Sequence, residues 1–224
     1  MAWYVFALVD AVPAGGAGKG LTAVLSLRKL AGAFAVVERR ADVPPVAFGT
    51  LKKHQDVVSR LAKRVPAILP VRFGTLLEVA DLDVALQERG EEIAEAFDLV
   101  RDRVQFTWRV AGKPRHEARG ARRDEEAAAR AAARSGTQYL QQAARAVNPA
   151  PPAAFRALQT RLAPLVVRQR YQPGTAGLPE AVYHLVAAAD VRRYTDAAAA
   201  LDTLAPKLAM TGPFAPFAFA PEIL

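Results

Sequence analysis

From Trp3 to Val110 the large hydrophobes switch repeatedly between a strand-like and a helix-like period, and this switching narrows the fold more than any other feature. Trp3 to Val9 (WYVFALV) is a short run of aromatic and β-branched residues that ends at a loop of Pro13, Gly15, Gly16, Gly18 and Gly20, so it predicts a buried strand. Val24, Leu25 and Leu27 before Arg28, and Phe34, Val36 and Val37 after Gly32, favour two further strands over the helix that the leucine content also admits. Between Val46 and Val65, Leu51, Val58, Leu61 and Val65 fall at helical spacing opposite Lys52, Lys53, Arg60, Lys63 and Arg64, which is an amphipathic helix suited to covering a sheet. Pro66 stops it. Ala67 to Val71 then makes a strand bracketed by Pro66 and Pro70, which suit strand ends and edges. A second helix, capped by Asp81 or Asp83, carries Leu82, Leu86, Ile93, Phe97 and Val100 on one stripe. Finally VQFTWRV alternates, so Val104, Phe106, Trp108 and Val110 share the inner face of a half-buried strand.

The second half opens with a polar, punctuated stretch at 112–120, followed by an Ala/Arg/Glu run from Ala121 to Val147 that favours a solvated helix. Pro151 and Pro152 suit the start of a helix with Phe155, Leu158 and Leu162 as its stripe. Leu165 to Tyr171 and Ala181 to Ala188 look like strands joined by the turn QPGTAGLP, and Val191, Tyr194, Ala198, Leu201 and Leu208 line a last helix. The expectation is an α+β chain of two small domains in series, 1–111 and 112–224, the second with a helical start and an extended Pro/Phe tail.

A length of 224 residues is compatible with two such units, and 52% apolar content with 23% charge is ordinary for globular chains. The absence of cysteine excludes disulfide scaffolds, thiol nucleophiles and zinc ribbons, and makes an intracellular home the expectation. Met1 to Val9 lacks the basic region of a signal peptide, and no uncharged apolar run reaches the roughly 18 residues of a membrane span. The net charge of +8 resides mainly in the second half, since residues 1–111 hold 15 basic and 13 acidic groups and residues 112–224 hold 15 and 9. There Arg119, Arg122, Arg123, Arg130 and Arg134 are interleaved with Asp124, Glu125 and Glu126, a pattern of helix ion pairs more than of a nucleic-acid stripe.

Catalytic chemistry finds no constellation. GGAGKG (Gly15 to Gly20) fails the phosphate-loop pattern, having Pro13 at its first Gly position and Gly20 where Ser or Thr is needed, and is expected to be a mobile surface loop. His54, His116 and His184 lie in different elements with no metal-ligand spacing, and Ser26, Ser59 and Ser135 lie in no nucleophile elbow. No cofactor or metal is expected. An RNA-binding α+β module is the generic alternative, but the stacking signature of alternating Gly and aromatics is missing.

Two segments are unusual. In PAILPVRFGTLLEV, Arg72 sits inside an apolar stretch and is expected to be buried and paired with a carboxylate, Glu78 being one candidate. In TGPFAPFAF, Phe214, Phe217 and Phe219 alternate with prolines and small residues as a stiff extended strip, which either seals its own domain or offers aromatics to a partner. LPVRFGT (Leu69 to Thr75) and TGPFAPFAF (Thr211 to Phe219) together resemble the gas vesicle protein F/L family, GvpF/GvpL, in order and spacing. WYVFALV, the helix with Lys53 and His54, VQFTWRV and SGTQYL (Ser135 to Leu140) extend the resemblance over the whole chain. Phe214 stands where the family has Trp, Ala215 where it has Pro, and Phe217-Ala218 where it has Tyr-Ser, which removes side-chain hydrogen bonders from the tail. The resemblance implies two α+β domains, the second a modified ferredoxin-like unit. It also implies a non-enzymatic accessory protein located at the gas vesicle or in the cytoplasm. Its implied partners are the hydrophobic shell protein and other accessory proteins, met during nucleation or as a minor component of the wall. Arg72, Phe73 and Gly74 of the first motif and Gly212, Pro213, Phe214, Phe217 and Phe219 of the second are the candidate partner-binding or structural residues.

Overall fold

A computed structural model of the chain describes residues 2–30, 32–110, 151–174, 179–201 and 208–222. It divides into two compact units, Met1–Gln105 with Pro213–Leu224, and Phe106–Gly212. The division therefore falls inside a strand instead of near Ala111, and the tail belongs with the first unit instead of the second. The polar stretch 112–120, the Ala/Arg/Glu run, SGTQYL and residues 175–178 of the QPGTAGLP turn lie outside the described residues.

In unit 1, β1 (Ala2–Val9), β2 (Ser26–Leu30), β3 (Ala33–Arg40), β4 (Ile68–Pro70) and β5 (Leu76–Leu77) form an antiparallel sheet in the order β2-β3-β1-β4, with β5 also beside β1. A bulge in β1 between Val5 and Ala7 shifts its register against Val37 and Val36 of β3. Three helices accompany the sheet: α1 (Phe48–Ala62), α2 (Val79–Glu88) and α3 (Gly90–Val100). The stripe of α1 supplies Val57, Val58 and Leu61 to a core with Tyr4, Phe6, Val9 and Val36. Val5, Leu8 and Val37, which fall outside that cluster, are also completely buried. Leu82, Leu86, Ile93, Phe97 and Val100 are buried as their spacing predicts, and α3 packs against β4. The expected single helix is two, because Arg89 leaves helical geometry (φ −115°, ψ 23°) just before Gly90, and the N-cap is Glu78, not Asp81 or Asp83.

The glycine loop lies at the surface, exposed at Gly15, Gly16 and Gly18, and is tethered there by Arg60, which donates to Ala17 O at 3.2 Å, and Arg64, which donates to Gly16 O at 3.3 Å. Ala17 is buried, and the amides of Leu21, Thr22 and Ala23 with the Thr22 hydroxyl donate to the carboxylate of the fully buried Glu38 at 2.5 to 3.2 Å. Backbone donors converging on an anion are what a phosphate loop provides, and here the anion is the chain's own side chain. Gly20 permits the approach, since a Cβ there would lie 2.0 Å from Glu38 Oε2. Satisfying a buried carboxylate with this many donors is what makes its burial tolerable.

Unit 2 is built on β6 (Arg103–Val110), β7 (Arg168–Gln172), β8 (Ala181–Ala187) and β9 (Leu208–Phe214), in the order β7-β8-β6-β9. With α4 (Arg156–Leu162) before β7 and α5 (Val191–Ala199) after β8, these elements have the strand order of a ferredoxin-like unit. Phe106, Trp108, Phe155, Leu158, Leu162, Val182, Val186 and Tyr194 make its core, with Phe106 stacked on Tyr194 at 4.5 Å. β6 departs from simple alternation because Gln105 and Thr107 are buried as well as Phe106 and Trp108. Leu208 opens β9 and does not extend the last helix, which ends at Ala199.

Candidate functional site

The LPVRFGT motif is a turn that carries the chain from β4 to β5, both of which pair with β1. Pro70 closes β4, and Val71 N–H still reaches Phe6 O at 3.0 Å. Thr75 then folds back on Arg72 O through both its amide (3.3 Å) and its hydroxyl (2.9 Å). Gly74 occupies the third position with φ +96°, a geometry costly for any residue with a Cβ. Thr75 O accepts Val5 N–H at 3.0 Å and returns the chain to the sheet.

Beneath the turn lies a buried relay. His54, on the inner face of α1, has Nε2 3.2 Å from Val71 O and Nδ1 2.8 Å from the Tyr4 hydroxyl. A carbonyl only accepts, so Nε2 carries the proton, Nδ1 accepts from Tyr4 O–H, and the Tyr4 oxygen receives Gly74 N–H at 3.3 Å. Both ends of the turn are thus tied to one Tyr–His pair. Phe6 stacks on the imidazole at 5.2 Å, while Phe73 meets the Tyr4 and His54 rings edge-on at 6.2 and 5.6 Å. Burial lowers the His54 pKa against the smaller raising effect of the Val71 bond, and burial pushes the Tyr4 hydroxyl up to about 12. Both groups are held neutral with their bonding capacity used internally, so the pair builds the turn and offers no free base.

Arg72 corrects the sequence expectation. Its side chain is 77% exposed, and its carboxylate is Glu222 at 2.5 Å, not Glu78. The apolar neighbours Leu69 and Pro70 are buried in β4, but the chain leaves the sheet at Pro70, which puts Arg72 on the outside of the turn. Glu222 lies 150 residues further along, so the two motifs meet on unit 1. Gly212 (φ +132°) and Pro213 are among the last residues of β9, which ends at Phe214, and the extended strip then stops: the amides of Phe219 and Ala220 donate to Pro216 O at 3.0 and 3.1 Å, making a turn of 217–219. Ala215 and Phe217 join the same core cluster as Phe73, Phe219 is buried, and Phe214 is half-buried. Ala218 N–H reaches Gln105 Oε1 at 2.7 Å, and Arg89 donates to Glu222 O at 2.9 Å.

Next to this junction is an apolar surface. Val46 and Phe48 are 81% and 84% exposed, Val43 and Leu51 about half as much, all at or before the start of α1. Thr50 holds that entry by accepting Ala47 N–H at 3.2 Å and donating to Pro45 O at 2.6 Å. Val43 abuts the motif, since its Cγ1 is 3.7 Å from where a Cβ on Gly74 would stand. Sequence reasoning missed the relay and the patch. Tyr4, His54 and Val71 are too far apart for any local signal, and an exposed Phe looks like a core Phe in a composition count.

Unit 2 has a counterpart to the relay. Trp108 Nε1–H donates to the Tyr194 hydroxyl at 2.7 Å, Tyr194 O–H to His184 Nδ1 at 2.7 Å, and His184 Nε2–H to Gln169 Oε1 at 3.1 Å. Burial alone lowers the His184 pKa to about 4. A cleft of about 380 Å³ beside β2 and α2 is lined by Arg28, Lys29, Asp83 and Gln87 over Leu86 and Ile93. Among the described residues there is no cluster of three or more His, Asp or Glu suited to a metal ion, and no helix long and apolar enough to cross a membrane.

The sequence profile of the gas vesicle synthesis protein GvpL/GvpF family matches residues 2–221. The crystal structure of gas vesicle protein GvpF from Microcystis aeruginosa is similar at 10% identity, covering 98% of this chain and 99% of that one, with a TM-score of 0.70. GvpF from Anabaena sp. PCC7120 is similar at 14% identity, covering 98% and 96%, with a TM-score of 0.68. No curated protein matches. At such identities the structural likeness establishes the shared α+β fold with its two antiparallel sheets, and the profile establishes the family. The chain belongs to the gas vesicle synthesis protein GvpL/GvpF family.

Proposed function

We propose that the protein is a non-enzymatic accessory factor in building gas vesicles, acting in the cytoplasm or as a minor component of the wall, and that it binds the hydrophobic shell protein. The observation that carries this reading is the patch of Val43, Val46, Phe48 and Leu51 beside the motif turn. Apolar side chains this exposed, clustered in one short stretch of chain, are costly in water and are retained where a partner covers them. A shell subunit awaiting assembly has the complementary need, since its own apolar face would aggregate if left open. The tail phenylalanines are a weaker candidate for the same contact, because Phe217 and Phe219 are drawn onto unit 1 and Phe214 alone of the three lies outside its core cluster and buried set.

Co-purification of the shell protein with the tagged full chain tests this. Val46→Ser with Phe48→Ser should leave the melting temperature within a degree or two, because exposed side chains contribute within about 0.5 kcal/mol to folding, while shell-protein recovery is lost. Recovery equal to the parent's would overturn the patch as the docking surface. Loss on Phe214→Ser with the patch variant still binding would move the contact to the tail.

A further inference from the structure

We propose that the His54–Tyr4 pair is an acid-sensitive latch on unit 1, whose protonation frees the 71–75 turn and with it the tail packed on that turn. The inference is separate from shell-protein binding and rests on the direction of the hydrogen bonds. Neutral His54 must accept at Nδ1, because its only proton is given to Val71 O at Nε2. A second proton on Nδ1 turns that acceptor into a donor aimed at the Tyr4 hydroxyl, whose own hydrogen then has no acceptor in a buried site. The Tyr4 oxygen must rotate its lone pairs to receive the imidazolium, at the expense of Gly74 N–H, so both tethers of the turn are disturbed by one proton.

Nothing in place neutralises the new charge. The titratable and charged groups on the elements around His54 are Tyr4 on β1, Glu38, Arg39 and Arg40 on β3, Lys52, Lys53, Asp56 and Arg60 on α1, Arg72 on the turn and Glu222 on the tail. Glu38 is engaged by the 21–23 amides, Asp56 by Lys52 and Glu222 by Arg72, while Phe6 stacks on the imidazole and Phe73 meets it edge-on. Burial already biases His54 toward its neutral form. The consequence passes to the tail because Phe73, Ala215 and Phe217 share one cluster, and because Arg72 on the turn is what holds the Glu222 carboxylate. His184 in unit 2, held near 4, stays neutral in the native state between pH 7.5 and 5.5, so any loss of protection in unit 2 over that range comes through its own linkage and is independent of His54.

Hydrogen–deuterium exchange of the full chain over that range, with rates corrected for intrinsic pH dependence, tests the latch. Protection of Gly74, Thr75, Ala218, Phe219 and Ala220 should fall by up to about tenfold per pH unit once His54 begins to titrate, the steepest slope one proton allows, and replacing His54 should leave any pH dependence of β8 in unit 2 unchanged. The His54 ring shifts in an NMR titration should move together with the loss of protection, below the ordinary imidazole range. In His54→Gln or His54→Asn, whichever folds, the pH dependence at these amides should vanish. Protection that stays flat in the parent while the His54 ring titrates would overturn the proposal, as would the same pH dependence persisting in the variant.

Discussion

Each unit of the molecule has a buried tyrosine that donates to a histidine, and the two pairs differ in what surrounds them. In unit 2 every member of the relay is a side chain: Trp108, Tyr194, His184 and Gln169. In unit 1 the two ends are backbone, Gly74 N–H and Val71 O, so the pair ties down a turn and not a core. The bonds follow suit, at 2.7 Å into and out of Tyr194 against 3.3 Å into and 2.8 Å out of Tyr4. A side-chain relay in a dry core rigidifies packing, whereas one that ends on backbone makes a surface turn conditional on the state of two buried groups.

The largest effect that tests the contrast is removal of each hydroxyl. Tyr194→Phe leaves the Trp108 indole N–H and His184 Nδ1 both buried and unpaired, which should cost about 2–4 kcal/mol from two orphaned groups. Tyr4→Phe orphans His54 Nδ1 but frees the amide of Gly74, a residue that is only partly buried, so about 1–2 kcal/mol is expected. The two tryptophans, Trp3 and Trp108, report on unit 1 and unit 2 separately, so urea titrations by fluorescence in Trp3→Phe and Trp108→Phe backgrounds assign each loss to its unit. Equal losses would erase the distinction between the two relays.

The pH dependence of unit 2 is the next largest. His184 has its folded pKa lowered from 6.5 to about 4 by burial, so the native state favours the neutral form. Its contribution to stability is therefore full above the unfolded value and drains away as pH falls from 6.5 toward 4, to a total of roughly 3 kcal/mol. Urea unfolding at pH 7.5 and pH 4.5, read from Trp108, should show most of this loss, and His184→Gln should remove the greater part of it. A parent curve as stable at pH 4.5 as at 7.5 would mean that His184 takes its proton without penalty.

What could be seen in the sequence divides along the same line. Periodicity exposed β1, α1, the α2–α3 stripe and β6, because burial repeats along each element and Leu82, Leu86, Ile93, Phe97 and Val100 mark it locally. The family and its two motifs were visible for a similar reason, since proline and glycine at Pro70, Gly74, Gly212 and Pro213 dictate backbone shape in place. The pairing of partners was not. Glu38 with the 21–23 amides, Tyr4 with His54, and Arg72 with Glu222 join residues brought together by the sheet, and nothing near any of them in sequence names its mate. Arg72 shows how local reasoning fails: apolar neighbours on both sides suggested burial, yet an element that ends at a proline releases the next residues to solvent.

The smallest expected effect follows from that correction and bears on what holds the unit 1 turn. If the Tyr4–His54 pair and the Phe73 contacts hold it, the exposed arginine on its outer side adds little. Both members of the Arg72–Glu222 pair are 77% exposed, so water screens the attraction and two long side chains lose entropy to make it. Arg72→Ala should then cost under about 1 kcal/mol, against the roughly 3 kcal/mol that a buried, paired arginine would entail, and 0.5 M salt should make parent and variant still more alike. A loss of several kcal/mol in urea unfolding read from Trp3 would show that the turn depends on its arginine, and that the relay beneath it is secondary.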